Sequence, residues 1–442
     1  MDRSARKVRQ ELSADGLFKL IRQRFDRLTD ARAESAGITL TDALMSAFAM
    51  FSLKDPSLLA FDQRRQDPSD NFRTVYGIET VPCDTQMRTI LDPVEPAQLR
   101  PMFQDVFRSL QRGKALESFA YLDGHYLVSL DGTSYFSSKK VHCESCLKRQ
   151  HSNGSVTYSH QFLGATLVHP DHKVVIPLAP EPIINDDGHT KNDCERNATR
   201  RWLQQFRRDH PHLPVIIIED ALSANAPHLD DLREARVHYI IGVKSGDHAF
   251  LFERLRANDE AGRTQLLTEV ETATGVLHHF RFHNGEPLNA SHPDCLVNVL
   301  EYWEIHPDGK IQYFSWITDF VLTPNNVYHI MRGGRSRWKI ENETFNTLKN
   351  QGYHLEHNYG HGEQHLSVVL MLLMMLAFLV DQTQQLCCPV FQAALEKLKS
   401  KRNLWDKMRS YFIAFLFDSM TELLTALVVG IEPQRPTLQN SS

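Results

Sequence analysis

The sequence predicts an α/β chain: a mixed sheet with flanking helices, broken by a mostly β insertion and set between helical N- and C-terminal regions. Three observations carry this. LPVIIIED (213–220) is an unbroken apolar run ending in two acids, the pattern of a strand buried on both faces. The segments around it run strand, strand, strand, helix, strand, helix, strand, which implies a sheet covered on both sides. The outer segments instead repeat apolar residues at helical spacing.

Residues 1–115 read as helical, with ALMSAFAMFSL (43–53) and PMFQDVFRSLQRG (101–113) as the clearest repeats and DPS as a turn between segments. The texture changes at SFAYLDGHYLVSLDGT, where apolar and polar residues alternate up to an Asp-Gly pair, read as a strand running into a turn at Asp131. TYSHQFLGATLVH (157–169) and KVVIPLAP (173–180) follow as strands joined at PDH. KNDCERNATRRWLQQFRRDHP is a helix with Ala198, Trp202 and Phe206 on one side and arginines around the other. HLDDLREAR gives a short helix and VHYIIGV (237–243) a further strand. Strand-like pieces such as VLHHFRFH and IQYFSWITDFVL make 247–322 the β-rich insertion. The sheet domain, 118–246 and 323–365, then closes with the helical RSRWKIENETFNTLKNQG (335–352). Residues 366–430 are helical again, and the tail EPQRPTLQNSS reads as disordered.

At 442 residues the chain exceeds one compact core, so two or three domains are expected. Hydrophobic content of 42% and charged content of 23% are those of a globular protein. Seven cysteines, an odd number, give no disulfide framework and fit a reducing, cytoplasmic setting. The polar start MDRSARKVRQELSADG has no apolar core and is not read as a secretory signal. LSVVLMLLMMLAFLV (366–380) is shorter than the roughly 18–20 residues that cross a bilayer, so it reads as a buried core helix and no membrane partner is expected. The net charge of −5 gives no global sign of nucleic-acid binding. Local runs do: five arginines and no acid lie between Arg196 and Arg208, among them Arg200 and Arg201, and six basic residues with one acid lie between Lys397 and Arg409.

Asp131 in YLVSLDGT and Asp220 in VIIIEDALSANAP are the acids expected where central strands end, at the rim where open α/β sheets bind ligands. Carboxylates gathered at one rim repel unless a divalent cation neutralises them, and oxygen donors without His or thiolate favour Mg²⁺ or Mn²⁺. Glu341, four residues after Arg337, is the candidate third carboxylate on a helix. Two ions about 3.5–4 Å apart would clamp the attacking and leaving oxygens of a phosphoryl transfer. Asp123 lies ahead of its strand, Glu219 points to the other side from Asp220, and Glu343 competes with Glu341; each is the lesser alternative. Glu195 is either an accessory acid or an ordinary first-turn acid favoured by the helix dipole.

LDGT with Asp131, IIIEDALSANAP with Asp220 and RWKIE with Glu341 together resemble the RNase H-like core of insertion-sequence DDE transposases, a likeness that spans about 118–352. The interval between Asp220 and Glu341 leaves room for a β insertion, as several such families have. Arg337 and Glu341 match the signature Tyr-x2-Arg-x3-Glu-x6-Lys. Gly334 stands at its tyrosine position and Leu348 at its lysine position, with Lys349 one residue late and about 80° round an α-helix from the Glu341 face. The resemblance implies a cut-and-paste DNA transposase in which Asp131, Asp220 and Glu341 hold two Mg²⁺ (or Mn²⁺) ions. Arg337, Lys349, Arg200 and Arg201 would then contact DNA. It further implies terminal inverted repeats and target DNA as substrates, a homodimer on paired ends, and a bacterial, nucleoid-associated location. An RNase H-like nuclease or domesticated relative lacking strand transfer would carry the same triad, and an inactive DNA-binding remnant the same basic runs.

HCESC supplies Cys143 and Cys146, followed by His151 and His160. The histidine spacing matches no common zinc finger, so the segment reads first as a surface excursion, with structural zinc the secondary reading. His354, His357, His361 and His365 include HGEQH, which has Gly362 where a zinc-protease motif needs Glu. Trp316 reads as a core residue before it reads as a stacking platform for an unpaired base.

Overall fold

A computed structural model describes residues 11–32, 37–66, 70–185 and 194–431. The tail read as disordered lies outside these. The chain divides into two compact units, 1–115 with 348–442, and 116–347.

The first unit is helical. Thr39 and Ser57 cap the helices Leu40–Ser52 and Leu58–Arg64, each side chain accepting a backbone N–H of the first turn. Leu40–Ser52 is buried on every side and packs against Leu366–Cys387. The latter has 22 residues, seven more than the apolar run suggests, and a mean hydropathy of 2.1 over its most apolar window, of which 94% is buried. A helix apolar all round needs such a surround. Its one acid, Asp381, meets Lys54 at 2.7 Å. Tyr353 donates its hydroxyl to the same carboxylate, and the Lys54 ammonium sits 4.4 Å and 4.2 Å from the Tyr353 and Trp405 ring centres. Burial pulls the Lys54 pKa down, opposed by Asp381.

The second unit is built on one sheet of eleven strands. They are β1 (Tyr126–Ser138), β2 (Leu147–Gln150), β3 (Val156–Val168), β4 (Ile176–Pro177), β5 (Glu181–Ile183), β6 (Val215–Glu219), β7 (His238–Gly242), β8 (Gln265–Val270), β9 (Leu277–Asn289), β10 (His292–Ile305) and β11 (Ile311–Thr318). The order is β2-β3-β1-β6-β7-β11-β10-β9-β8, with β4 and β5 paired to β3. β1, β6 and β7 are parallel, and the other pairings are antiparallel. This is the RNase H-like mixed sheet the sequence predicts, with β6 fully buried at its centre. KVVIPLAP yields only the two-residue β4, since its prolines remove ladder donors.

Residues 247–322 open with a helix, Ala249–Glu260, and their four strands continue the sheet through β11, which pairs with β7. The remaining helices are α1 (Glu195–Asp209), α2 (Ala226–Glu234) and α3 (Val327–Arg335). A six-residue π-helical segment, Ile340–Phe345, follows α3 after a turn, so 335–352 is not one continuous α-helix. Strand geometry separates the layers. Asp131 and Gly164 are direct partners on β1 and β3 and share a face, on which Phe345 lies over Gly164. Gly132 faces the other way, toward Glu195 of α1.

Removing one member of the buried Lys54–Asp381 pair strands the other charge. Asp381→Ala is expected to cost about 3–5 kcal/mol of stability, read as a fall in denaturant midpoint, while Lys54→Met with Asp381→Leu recovers most of it.

Candidate active site

Asp131 lies in mid-strand, not at a strand end. β1 runs on to Ser138 because the equally long β3 pairs along it. Its parallel pairing with β6 stops at Ser129, however, so Asp131 sits just where β1 leaves its neighbour. Asp220 follows β6 directly, as expected, and its Oδ1 accepts the Leu222 N–H at 2.9 Å, which fixes the carboxylate. Both acids and Glu195 line one cavity of about 720 Å³.

Glu341 comes from the π-helical segment. Arg337 Nη1 donates to Glu341 Oε1 at 2.6 Å and to Asp131 Oδ2 at 3.4 Å, so one guanidinium spans two carboxylates from remote parts of the chain. Ser129 Oγ donates to the Arg337 carbonyl at 3.2 Å and ties the turn to β1. Arg337 and Glu341 do form the i,i+4 pair of an ordinary helix, but Arg337 also reaches the sheet.

Burial pushes the Asp131 carboxyl up to about 7; Arg337 opposes this, while the charges of Glu341, Glu195 and Asp220 add to it. Glu195 is likewise raised, by burial first and then by Asp220 and Glu219. Two carboxyls raised in this way, Asp131 and Glu195, are groups whose charged form a nearby cation would favour. The oxygen donors Asp131 and Glu341, with Arg337 between them, are of the type that a hard divalent ion of the Mg²⁺ class takes.

Gly132 explains how Glu195 comes so close. A Cβ there would lie 1.8 Å from Glu195 Oε1, so the Asp-Gly pair marks a close approach and not a turn. Of the competing acids, Asp123 sits in the turn Leu122–Gly124 with φ 52°, away from the cavity lining. Glu219 is buried and accepts from Ser223 at 3.2 Å while its Oε2 lies 2.6 Å from His228 Nε2. Burial opposes charge on His228, yet Glu219 raises its pKa, so the two form a buried ion pair behind Asp220.

The signature departures have steric causes. A Cβ at Gly334 would come within 2.4 Å of Trp316 Nε1, so no tyrosine fits there. Leu348, at the lysine position, is fully buried. Lys349 pairs with Glu356 at 2.9 Å, and the π-helical segment before it removes the basis of the 80° rotation, which assumed α geometry. Arg200 pairs with Asp231 at 3.0 Å and Arg201 with Glu181 at 2.9 Å, so both hold α1 in place.

Sequence reasoning missed Lys148 and Arg149, which are exposed on β2 and line the same cavity as Asp131. Their signal, two basic residues just after HCESC, is too short to stand out. It also missed a second cavity of about 590 Å³ beside Asp220, walled by Lys244, Arg335, Arg337, Trp316 and the half-exposed Trp338. Trp316 is thus buried and lines that cavity, stacked on Phe314 at 5.8 Å.

The family model described as Transposase DDE domain matches residues 125–379, more than half of the chain. No curated protein matches.

Asp131 supplies a direct check on this geometry. An acid whose folded pKa is raised from 3.8 to about 7 gives up stability as pH climbs between those values, since the folded state then binds more protons than the unfolded one. In metal-free protein, Asp131→Asn is therefore expected to stabilise by roughly 1–3 kcal/mol at pH 8, with the gain fading toward pH 4 in denaturant titrations.

Proposed function

The chain belongs to the transposase DDE domain family, and on that premise we propose that it cuts and joins DNA at terminal inverted repeats in a cut-and-paste reaction. The observation that carries this reading is the Arg337 guanidinium spanning Asp131 and Glu341, with Asp220 on the same cavity wall. Two remote carboxylates on one positive group, with a third acid on the cavity that Asp131 lines, support reading these acids as a cation-binding rim.

Asp131, Asp220 and Glu341 would hold two Mg²⁺ or Mn²⁺ ions. When bound, these supply Lewis-acid activation of the nucleophile and stabilise charge on the phosphate and leaving oxygen. The chain's own groups do the positioning. The Leu222 N–H holds Asp220 in one orientation. Arg337 has further N–H donors beyond those used on the acids and offers them to a DNA phosphate. Lys148 and Arg149 at one cavity, and Lys244 and Arg335 at the next, supply a basic track on either side of Asp220. Trp338 and Trp316 offer ring faces to an unpaired base near the cut.

In the proposed sequence, water attacks the phosphodiester at the element's end and frees a 3′-hydroxyl. The water oxygen stays on the flanking 5′-phosphate; the freed hydroxyl then attacks a target phosphodiester, forming a new diester and releasing the target's 3′-hydroxyl. Joining two ends calls for two copies of the chain, and we assign recognition of the repeats to the N-terminal helices. Basic residues between Lys397 and Arg409 add a further face for the polyanion.

Supercoiled DNA carrying the repeats that flank the gene is the substrate for the test. Mg²⁺-dependent nicking should fall by about two orders of magnitude or more in Asp131→Ala, Asp220→Ala and Glu341→Gln, and persist in Asp123→Ala. Undiminished nicking in Asp131→Ala would end the proposal; nicking without joined product would leave a nuclease lacking strand transfer.

A further inference from the structure

A second cluster of metal-ligating side chains lies on the first three strands, apart from the acids. Cys143 and Cys146 sit in the connection between β1 and β2, and His160 is on β3. Their donor atoms converge. Cys143 Sγ lies 3.7 Å from Cys146 Sγ and 3.2 Å from His160 Nε2, and Cys146 Sγ lies 3.4 Å from the same nitrogen. A tetrahedral zinc ion with Zn–S near 2.3 Å and Zn–N near 2.0 Å holds two sulfurs about 3.8 Å apart and a sulfur and nitrogen about 3.6 Å apart. The three separations fall within a few tenths of an ångström of these values.

The surroundings favour a fixed site. Cys146 and His160 are buried to 0% and 1% exposure, and the Tyr135 ring stacks on the imidazole at 5.6 Å. The Cys143 N–H points at Cys146 Sγ at 3.4 Å, so the backbone of the turn already donates to a sulfur. His151, the other histidine of the segment, is turned to Thr157 at 2.8 Å and takes no part.

We propose that Cys143, Cys146 and His160 bind one zinc ion that fastens β2 to the β1–β3 hairpin. Two thiolates and an imidazole are the soft and borderline donors that select zinc over magnesium, so this site and the acidic rim take different metals. Three protein donors leave a fourth position, filled by solvent or a further donor. The mechanical consequence concerns β2. It is an edge strand of four residues paired only to β3, from Leu147↔Ser159 to Gln150↔Val156. Cys146 directly precedes it, so the ion sets where Lys148 and Arg149 stand at the cavity of Asp131. Their use on DNA rests on the function proposed above; the metal site does not.

The test uses the full chain purified under reducing conditions. Zinc by elemental analysis is expected at about one per chain after desalting, undiminished by excess Mg²⁺. Cobalt-exchanged protein should show thiolate-to-cobalt charge transfer and the visible bands of a tetrahedral ion. Cys143→Ser, Cys146→Ser and His160→Ala should lose the metal, and His151→Ala should keep it. Should the variants not fold, the wild-type cobalt spectrum decides alone. Absent charge transfer, zinc retained in the Cys143→Ser/Cys146→Ser double variant, or a Cys143–Cys146 disulfide in the reduced preparation would each overturn the proposal. Zinc loss triggered by a mercurial should weaken binding to DNA if β2 serves as proposed, while failure of that arm alone, with zinc bound, would count against the DNA role and not the ion.

Discussion

Crowded carboxylates are the constraint on which the second unit turns. Burial first, and after it the charges of Glu341, Glu195 and Asp220, push the Asp131 carboxyl up to about 7, and Arg337 is the group that opposes this. Its guanidinium suits the task because it is planar, always charged and able to bond two acceptors at once. Both contacts come from Nη1, so Nη2 and Nε are not used on these acids. The ion pair is also a mechanical link, since it joins the segment after α3 to the middle of β1.

Two glycines make that arrangement fit. At Gly132 the absence of a side chain lets Glu195 approach β1 from the face opposite Phe345; at Gly334 it lets Trp316 close on α3. Neither requires a left-handed backbone. Each is a place where two elements pack more closely than a Cβ permits, and each adjoins one of the two cavities beside Asp220. The buried Glu219 beside them has His228 as its partner, 2.6 Å away.

The central strand and its acid were legible in the sequence because a fully buried parallel strand leaves an unbroken apolar run, as in LPVIIIED. Asp131 was legible as a candidate but not as a mid-strand residue. Asp-Gly is a strong turn signal, and what overrides it here is pairing with β3 along the whole strand, a contact that no local pattern reports. Glu341 was legible through its neighbour Arg337, whereas the bridge to Asp131 is a tertiary fact. Arg200 and Arg201 stood out by density of charge, yet charge density does not distinguish a ligand contact from the intrachain pairs they make. Lys148 and Arg149 were hidden for the converse reason: two residues on a four-residue edge strand form no pattern.

The π-helical turn at Ile340–Phe345 bears on how such chains are compared with one another. A turn of this kind takes up one residue more than an α-turn, and so absorbs a single-residue insertion without disturbing what flanks it. Lys349 lies one place beyond the signature's lysine, the very offset such an insertion would leave. An alignment that forbids gaps inside helices has no way to express an offset of this kind.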